Sequence, residues 1–351
     1  MTKSAFTAGP RYSARRARHL AGVLAILLVL FPATALAETE VDDSGTINLI
    51  IENDLFGSGT DRHFTHGTKL SYSSREFEVP DENHPVAIVA GLVPFWPQGA
   101  RARASYAIGQ NIYTPEDISA QVPDPDDRPY AGWLYLSSGL TAVSPDARRS
   151  DSVVLEIGMV GPASLAEHTQ VTWHDTFGFP DPNGWDSQLK NEPGFSLIYE
   201  HSREIWQQPL GLGLNADLVP NAGFAIGNVA TYLSGGVTLR LGHDLTADLG
   251  PPRIRPSLPG SSYLRPVDGF NWYTFGSLGA RLVGRNIFLD GNTFSDSPSV
   301  DKRYLVGDLQ AGLVLQYSDW RFSYTYTIRT EEFYGQDQVN RFGALGLSFR
   351  F

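Results

Sequence analysis

Three short stretches carry residue types that could do chemistry. The first runs Glu52-Asn53-Asp54-Leu55-Phe56 and, a few residues on, Thr60-Asp61-Arg62-His63-Phe64-Thr65-His66-Gly67. Asp54 with neighbouring carbonyls offers hard oxygen donors suited to Ca²⁺, and the same Asn-Asp pair at a strand end is equally an ordinary turn former. The second stretch holds Gly109-Gln110-Asn111-Ile112-Tyr113-Thr114-Pro115 and Asp126-Asp127-Arg128-Pro129-Tyr130-Ala131-Gly132-Trp133. Here Asp127-Arg128 reads as an ion pair on a rim, and Tyr130 and Trp133 as members of an outer aromatic girdle. The third places His174 after Gln170-Val171-Thr172-Trp173, followed by Gly184-Trp185-Asp186-Ser187-Gln188-Leu189. An imidazole can act as general base near neutral pH, although a lone loop histidine is more often plain surface. His63, His66, His168 and His201 are weaker candidates.

Several chemistries are excluded by what the sequence lacks. It has no cysteine, hence no thiol nucleophile and no cysteine-based zinc site. It has no Gly-x-Ser-x-Gly elbow, the usual mark of a serine hydrolase strand-turn-helix. It has no His-Glu-x-x-His zinc helix.

The elements that must position these residues read as strands. Phe322, Tyr324, Tyr326 and Ile328 alternate with Arg321, Ser323, Thr325, Thr327 and Arg329, which gives one face to lipid and one to a polar lumen. In the last eleven residues Phe342, Leu345, Leu347, Phe349 and Phe351 interleave with Gly346, Ser348 and Arg350. The same period of two predicts about twelve strands, a number suited to a transmembrane antiparallel up-and-down β-barrel. They span 45–53, 66–76, 102–112, 130–143, 150–160, 195–206, 211–220, 229–242, 272–284, 303–317, 320–331 and 341–351. Short links near Ser144–Arg149, Gln207–Pro209 and Ser318–Asp319 fall on one side, as periplasmic turns do. Residues 54–65, 113–129 and 161–194 then share the outer rim, and the third loop has room for a short helix between Ser164 and Phe177. Two links on the periplasmic side, 77–101 and 243–271, are too long for this rule and have no account in the pattern.

Residues 1–37 read as a secretory leader: Arg11, Arg15, Arg16 and Arg18, an apolar run from Leu20 to Phe31, and the small-x-small site Ala35-Leu36-Ala37. Residues 38–351 then form a single barrel domain. The leader holds basic residues and no acidic one, so its removal makes a chain of formal net charge −11 more acidic still. That argues against nucleic acid as a partner, which would want a basic face.

Taken together, ENDLF, TDRHFTHGTKLSY, GQNIYTP, DDRPYAGWLY and QVTWH followed by GWDSQL resemble the lipid A deacylase (LpxR-type) family, most strongly from Ile47 to Glu200. The resemblance implies a barrel of twelve strands in the bacterial outer membrane, embedded there with lipid A or lipopolysaccharide of the outer leaflet as its partner. It implies a Ca²⁺-dependent hydrolase that cuts the ester holding the 3′-linked acyloxyacyl chain. It also implies that the family's essential Asn-Asp pair falls on Asn53 and Asp54, its hydroxyl residue on Thr65 and its catalytic histidine on His174, with Asp54 at the metal, Asn53 donating to the oxyanion and Thr65 orienting water. From the residues alone, an outer-membrane phospholipase and a non-enzymatic porin stay open.

Overall fold

The computed structural model describes residues 44–57, 63–78, 91, 99–245, 248–251, 253–254, 264–265 and 267–351. The leader and residues 79–90 and 92–98 of the first long link lie outside the described residues. Twelve strands form the wall: β1 (Thr46–Asn53), β2 (His63–Ser73), β4 (Arg101–Thr114), β5 (Ala131–Val143), β6 (Arg149–Val160), β7 (Glu192–Arg203), β9 (Leu214–Gly227), β10 (Ala230–Gly242), β11 (Val267–Asn286), β12 (Leu305–Ser318), β13 (Trp320–Arg329) and β14 (Asn340–Arg350). Each pairs antiparallel with its chain neighbours, β14 pairs β1, and the ring is closed. Two short strands, β3 (Phe77–Glu78) and β8 (Trp206–Gly211), extend it beyond the wall by pairing with β4 and β9. Gln207–Pro209 therefore lies within β8 rather than in a turn, and the chain reverses at Gly211–Gly213 through three positive φ angles. No helix among the described residues is long and apolar enough to cross a membrane.

The alternation that marks each strand in sequence is the alternation of its burial. In β13, Arg321, Ser323, Thr325, Thr327 and Arg329 are buried in the lumen, while Phe322 and its alternates face outward. Exposed Ile47, Leu49, Leu70, Ile108, Leu136, Leu233, Leu278, Leu309 and Leu347 form the apolar band a bilayer requires. Phe342 departs from the expected grouping. It shares the parity of Gly346 and Ser348 and points into the lumen, where it packs on Phe64 at 5.3 Å and under the Arg329 guanidinium.

The lumen is filled. At its outer end Ile50, Phe64, Tyr113, Trp133, Tyr135, Phe288 and Phe342 form one apolar core, to which the short helix α2 (Ile287–Asp290) contributes. Described residues of the long link after β10, among them Asp248, Arg253 and Ile254, also lie inside the barrel. Asp248 accepts from Arg321 at 2.8 Å and from the Tyr273 hydroxyl at 2.7 Å, and its carbonyl accepts from Arg240 at 2.7 Å. Arg240 in turn pairs with Asp217. Arg253 lies over the Phe275 ring, and the Ile254 N–H donates to the Glu52 carboxylate at 3.0 Å. A buried carboxylate is tolerable only when its charge and lone pairs are met, and Asp248 is met from three strands.

Candidate active site

Asn53, Asp54, Thr65 and His174, the four residues singled out in the sequence, line one cavity of about 430 Å³. Parity shows where it is. In β1 the buried luminal residues are Thr46, Asn48, Ile50 and Glu52, so Asn53 faces outward. In β4, Asn111 and Tyr113 face in and Ile112 faces out. The cavity therefore sits on the outer wall at the extracellular rim, between the strands and a covering loop. Ile112 is buried despite facing outward, because residues of the third loop lie over it.

A β-bulge aims Thr65. The β2–β4 register shifts between Phe64 and His66, which oppose Tyr113 and Ile112 in turn, leaving Thr65 as the extra residue. A bulge re-aims side chains where a regular pleat would alternate them. Here Phe64 joins the luminal core while Thr65 and His66 line the outer cavity. Asn53 clips the arrangement together. Its Nδ2 donates to the Thr65 carbonyl at 2.8 Å and lies 3.3 Å from His66 Nδ1. Its Oδ1 accepts the Leu55 N–H at 2.8 Å, capping the 3-10 turn Asp54–Phe56. That turn buries Asp54 to 1% exposure against the cavity. The Thr65 hydroxyl meets that of Thr114 at 2.6 Å.

His174 comes from the helix α1 (Ala166–Phe177), which lies where the sequence left room for one. Ala166, Gln170 and His174, spaced by four, form the buried stripe that faces the barrel. Gly132 on β5 permits the approach: a Cβ there would lie 2.0 Å from Ser164 Oγ and 2.3 Å from Ala166 Cβ. The helix ends at Gly178, whose φ of 74° is a left-handed C-cap, and the chain turns back so that the Pro180 carbonyl lies 2.5 Å from His174 Nδ1. A carbonyl can only accept, so Nδ1 carries a proton, and in the neutral ring the lone pair is then on Nε2. Gln170 accepts from the Trp185 indole at 2.9 Å, tying the Gly184–Leu189 segment to the helix.

Other expectations at the rim are corrected. Tyr130 and Trp133 are not in an outer girdle. Tyr130 is sealed under the third loop, donating to the Ile118 carbonyl at 3.0 Å and touching Trp185, while Trp133 stacks on Tyr135 in the luminal core. Asp127 and Arg128 do not form a rim ion pair. Asp127 accepts backbone N–H groups of Glu116 and Arg128, and burial holds its carboxyl above the usual range. The Arg128 guanidinium turns inward, over the Tyr113 ring and 3.6 Å from Glu332. Glu116, Asp117 and Gln170 line the cavity without having been singled out, and His66 ranks higher than its sequence context suggested. The hydroxyl and N–H of Ser119 hold the Asp117 carboxyl below its usual range. The Asp-x-Ser spacing, a common local turn, was the one available signal.

Among the described residues no three His, Asp or Glu side chains converge as a metal cage. Beside Asp54 the cavity is lined by side-chain oxygens of Asn53, Thr65, Ser119, Thr169 and Gln170 and by the exposed carboxylates of Glu116 and Asp117. Such oxygen donors, the buried Asp54 carboxylate foremost, suit a hard cation in donor type. They do not suit a soft one.

A closed, plugged barrel with an apolar outer band and a mostly apolar cavity on the outside of one rim defines an outer-membrane β-barrel. A family model described as outer membrane protein LpxR matches residues 23–351, and the chain belongs to that family, in the bacterial outer membrane. Among solved structures, LpxR from Salmonella typhimurium superposes with a TM-score of 0.68 at 21% identity, covering 87% of this chain and 99% of that one. The β domain of the Bordetella autotransporter BrkA (TM-score 0.39, 10% identity, 87% and 97% covered) is more distant. So is the translocator domain of NalP from Neisseria meningitidis (TM-score 0.39, 12% identity, 97% and 96% covered). No curated protein matches the sequence.

Proposed function

We propose that the protein is a lipid A deacylase that hydrolyses the ester holding the 3′-linked acyloxyacyl chain, with His174 as the general base. The observation that carries this reading is the convergence of Asn53, Asp54, Thr65 and His174 from three separate chain segments into one cavity on the lipid-facing rim. Family membership supports it. A lipid substrate in the outer leaflet reaches such a cavity without leaving the membrane.

The residues support a direct water attack. With Nδ1–H held by the Pro180 carbonyl, Nε2 takes a proton from water as the oxygen adds to the ester carbonyl carbon. Collapse of the tetrahedral species breaks the bond to the sugar oxygen, which recovers the proton from the imidazolium. The acyloxyacyl chain leaves as a carboxylic acid. Thr65, hydrogen bonded to Thr114, orients the water. Both amide hydrogens of Asn53 are engaged, by Thr65 and His66, so Asn53 acts here as the clip that holds turn and bulge rather than as an oxyanion donor. Asp54, with the neutral oxygens beside it, would hold Ca²⁺, which when bound supplies Lewis-acid polarisation of the carbonyl.

Mass spectrometry of lipid A after incubation with the detergent-folded protein tests the reading. The expected result is loss of one acyloxyacyl unit with Ca²⁺ and no loss with EDTA or with His174→Ala. Intact lipid A in the presence of folded wild-type protein and Ca²⁺ would reject it.

A further inference from the structure

The cavity has an apolar side that the hydrolytic step does not use. Next to the buried stripe of α1 runs a second one, Thr169, Trp173 and Phe177, also spaced by four. Trp173 is 45% and Phe177 58% exposed, and Phe179, just past the helix, is 36% exposed. Their rings form a ladder that begins and ends on the two imidazoles of the cavity. His66 meets Trp173 at 6.1 Å, Trp173 meets Phe177 at 4.5 Å, Phe177 meets Phe179 at 6.5 Å, and Phe179 meets His174 at 5.7 Å. Exposed Leu55 lines the cavity opposite. Three aromatic side chains left open within seven residues are costly in water.

The surface is continuous with the lipid-facing wall. Going down β2 from the cavity, the outward residues are His66, Thr68 and Leu70. On β4 they are paired in register with Ile112, Gln110 and Ile108, and Leu70 and Ile108 are both exposed. A hydrocarbon chain lying on this column would pass from the bilayer band up to the ring ladder and end beside His174.

We propose that Trp173, Phe177 and Phe179 seat the hydrocarbon of the acyl chain whose ester is cut, and so set the chain-length preference of the reaction. This rests on the deacylase reading. The seat fixes where the chain runs, and the distance from its far end to His174 then selects the chains whose ester carbonyl reaches the base. Phe177 is exposed and makes no luminal contact, so its truncation leaves the barrel's packing alone.

Two measurements test it. Steady-state kinetics on lipid A species of graded chain length should show Phe177→Ala and Trp173→Ala raising KM about tenfold, the scale of one lost aromatic contact, with a flattened chain-length profile. Separately, the emission of Trp173, isolated as wild type minus Trp173→Phe, should be quenched saturably by lipid A brominated in its acyl chains. Bulk phospholipid brominated at the same depth should quench it less, and unbrominated lipid A should restore it. Unchanged KM and chain-length profile in both variants would overturn the seat, as would equal quenching by both brominated lipids. Saturable quenching by lipid A without any hydrolysis by the wild type would instead overturn the deacylase reading and leave the seat standing.

Discussion

The two faces of one wall use polar residues in opposite ways. Inside, charges are dense and largely paired: Asp217, Arg240, Asp248, Arg321 and Tyr273 form one connected network, and Asp308 is held between Arg281 and Arg329. Outside, at the rim, buried charge is sparse. One buried carboxylate, Asp54, shares its cavity with two imidazoles, two amides, three hydroxyls and the exposed carboxylates of Glu116 and Asp117, roofed by a single helix. Saturated networks rigidify a structure. Sparse polar groups in a concave, mostly apolar site are what binding and chemistry use.

The sharpest way to break this comparison is a double dissociation. His174→Ala should lower kcat by about 10²–10⁴-fold, the usual worth of a general base, while the thermal unfolding of the barrel stays where it is. Asp248→Ala should do the reverse. It takes the carboxylate from the buried Arg321 guanidinium, at a cost of about 3–5 kcal/mol in stability, with kcat unaffected. Unfolding by heat and turnover of lipid A, measured on both variants, decide the matter. A lowered unfolding temperature in His174→Ala, or lost turnover in a folded Asp248→Ala, would show that the two faces are not separable.

Smaller effects sharpen it. Thr65→Val should cost about tenfold in kcat, equivalent to about 1.4 kcal/mol of barrier, and leave KM for lipid A within twofold. Tyr130→Phe, which removes the hydrogen bond to the Ile118 carbonyl, should lower stability by about 1 kcal/mol in chemical denaturation. The smallest effect is in the second loop. The Asp117 carboxyl is depressed by Ser119, so its support of that turn is present above the ordinary carboxylate range and lost as pH falls through the lowered value. Ser119→Ala should move that loss to higher pH, read from the carboxyl chemical shift of Asp117.

How much of this was legible in the sequence follows from what repeats. All twelve wall strands could be read because one side of each meets lipid and the other a polar lumen, which enforces period two over eight or more residues. The four site residues were nameable, but their directions were not. Thr65 sits on a bulge, and one extra residue reverses the alternation on which direction is read. Ile112, Tyr130 and Trp133 look like lipid-facing or girdle residues, and only the fold of the third loop and the filling of the lumen bury them. The 243–271 link carries no period at all. Asp248 and Ile254 earn their places from partners on strands distant in sequence, which local pattern cannot announce. Phe342 was legible in principle, since its even number already placed it with Ser348.

The contact of Ile254 with Glu52 has a geometric consequence. Glu52 and Asn53 are consecutive residues pointing to opposite sides of β1, so Ile254 inside the barrel lies a single peptide unit away from a residue that lines the outer cavity. The partition between the packed interior of the barrel and the cavity outside it is, at that point, one backbone thick.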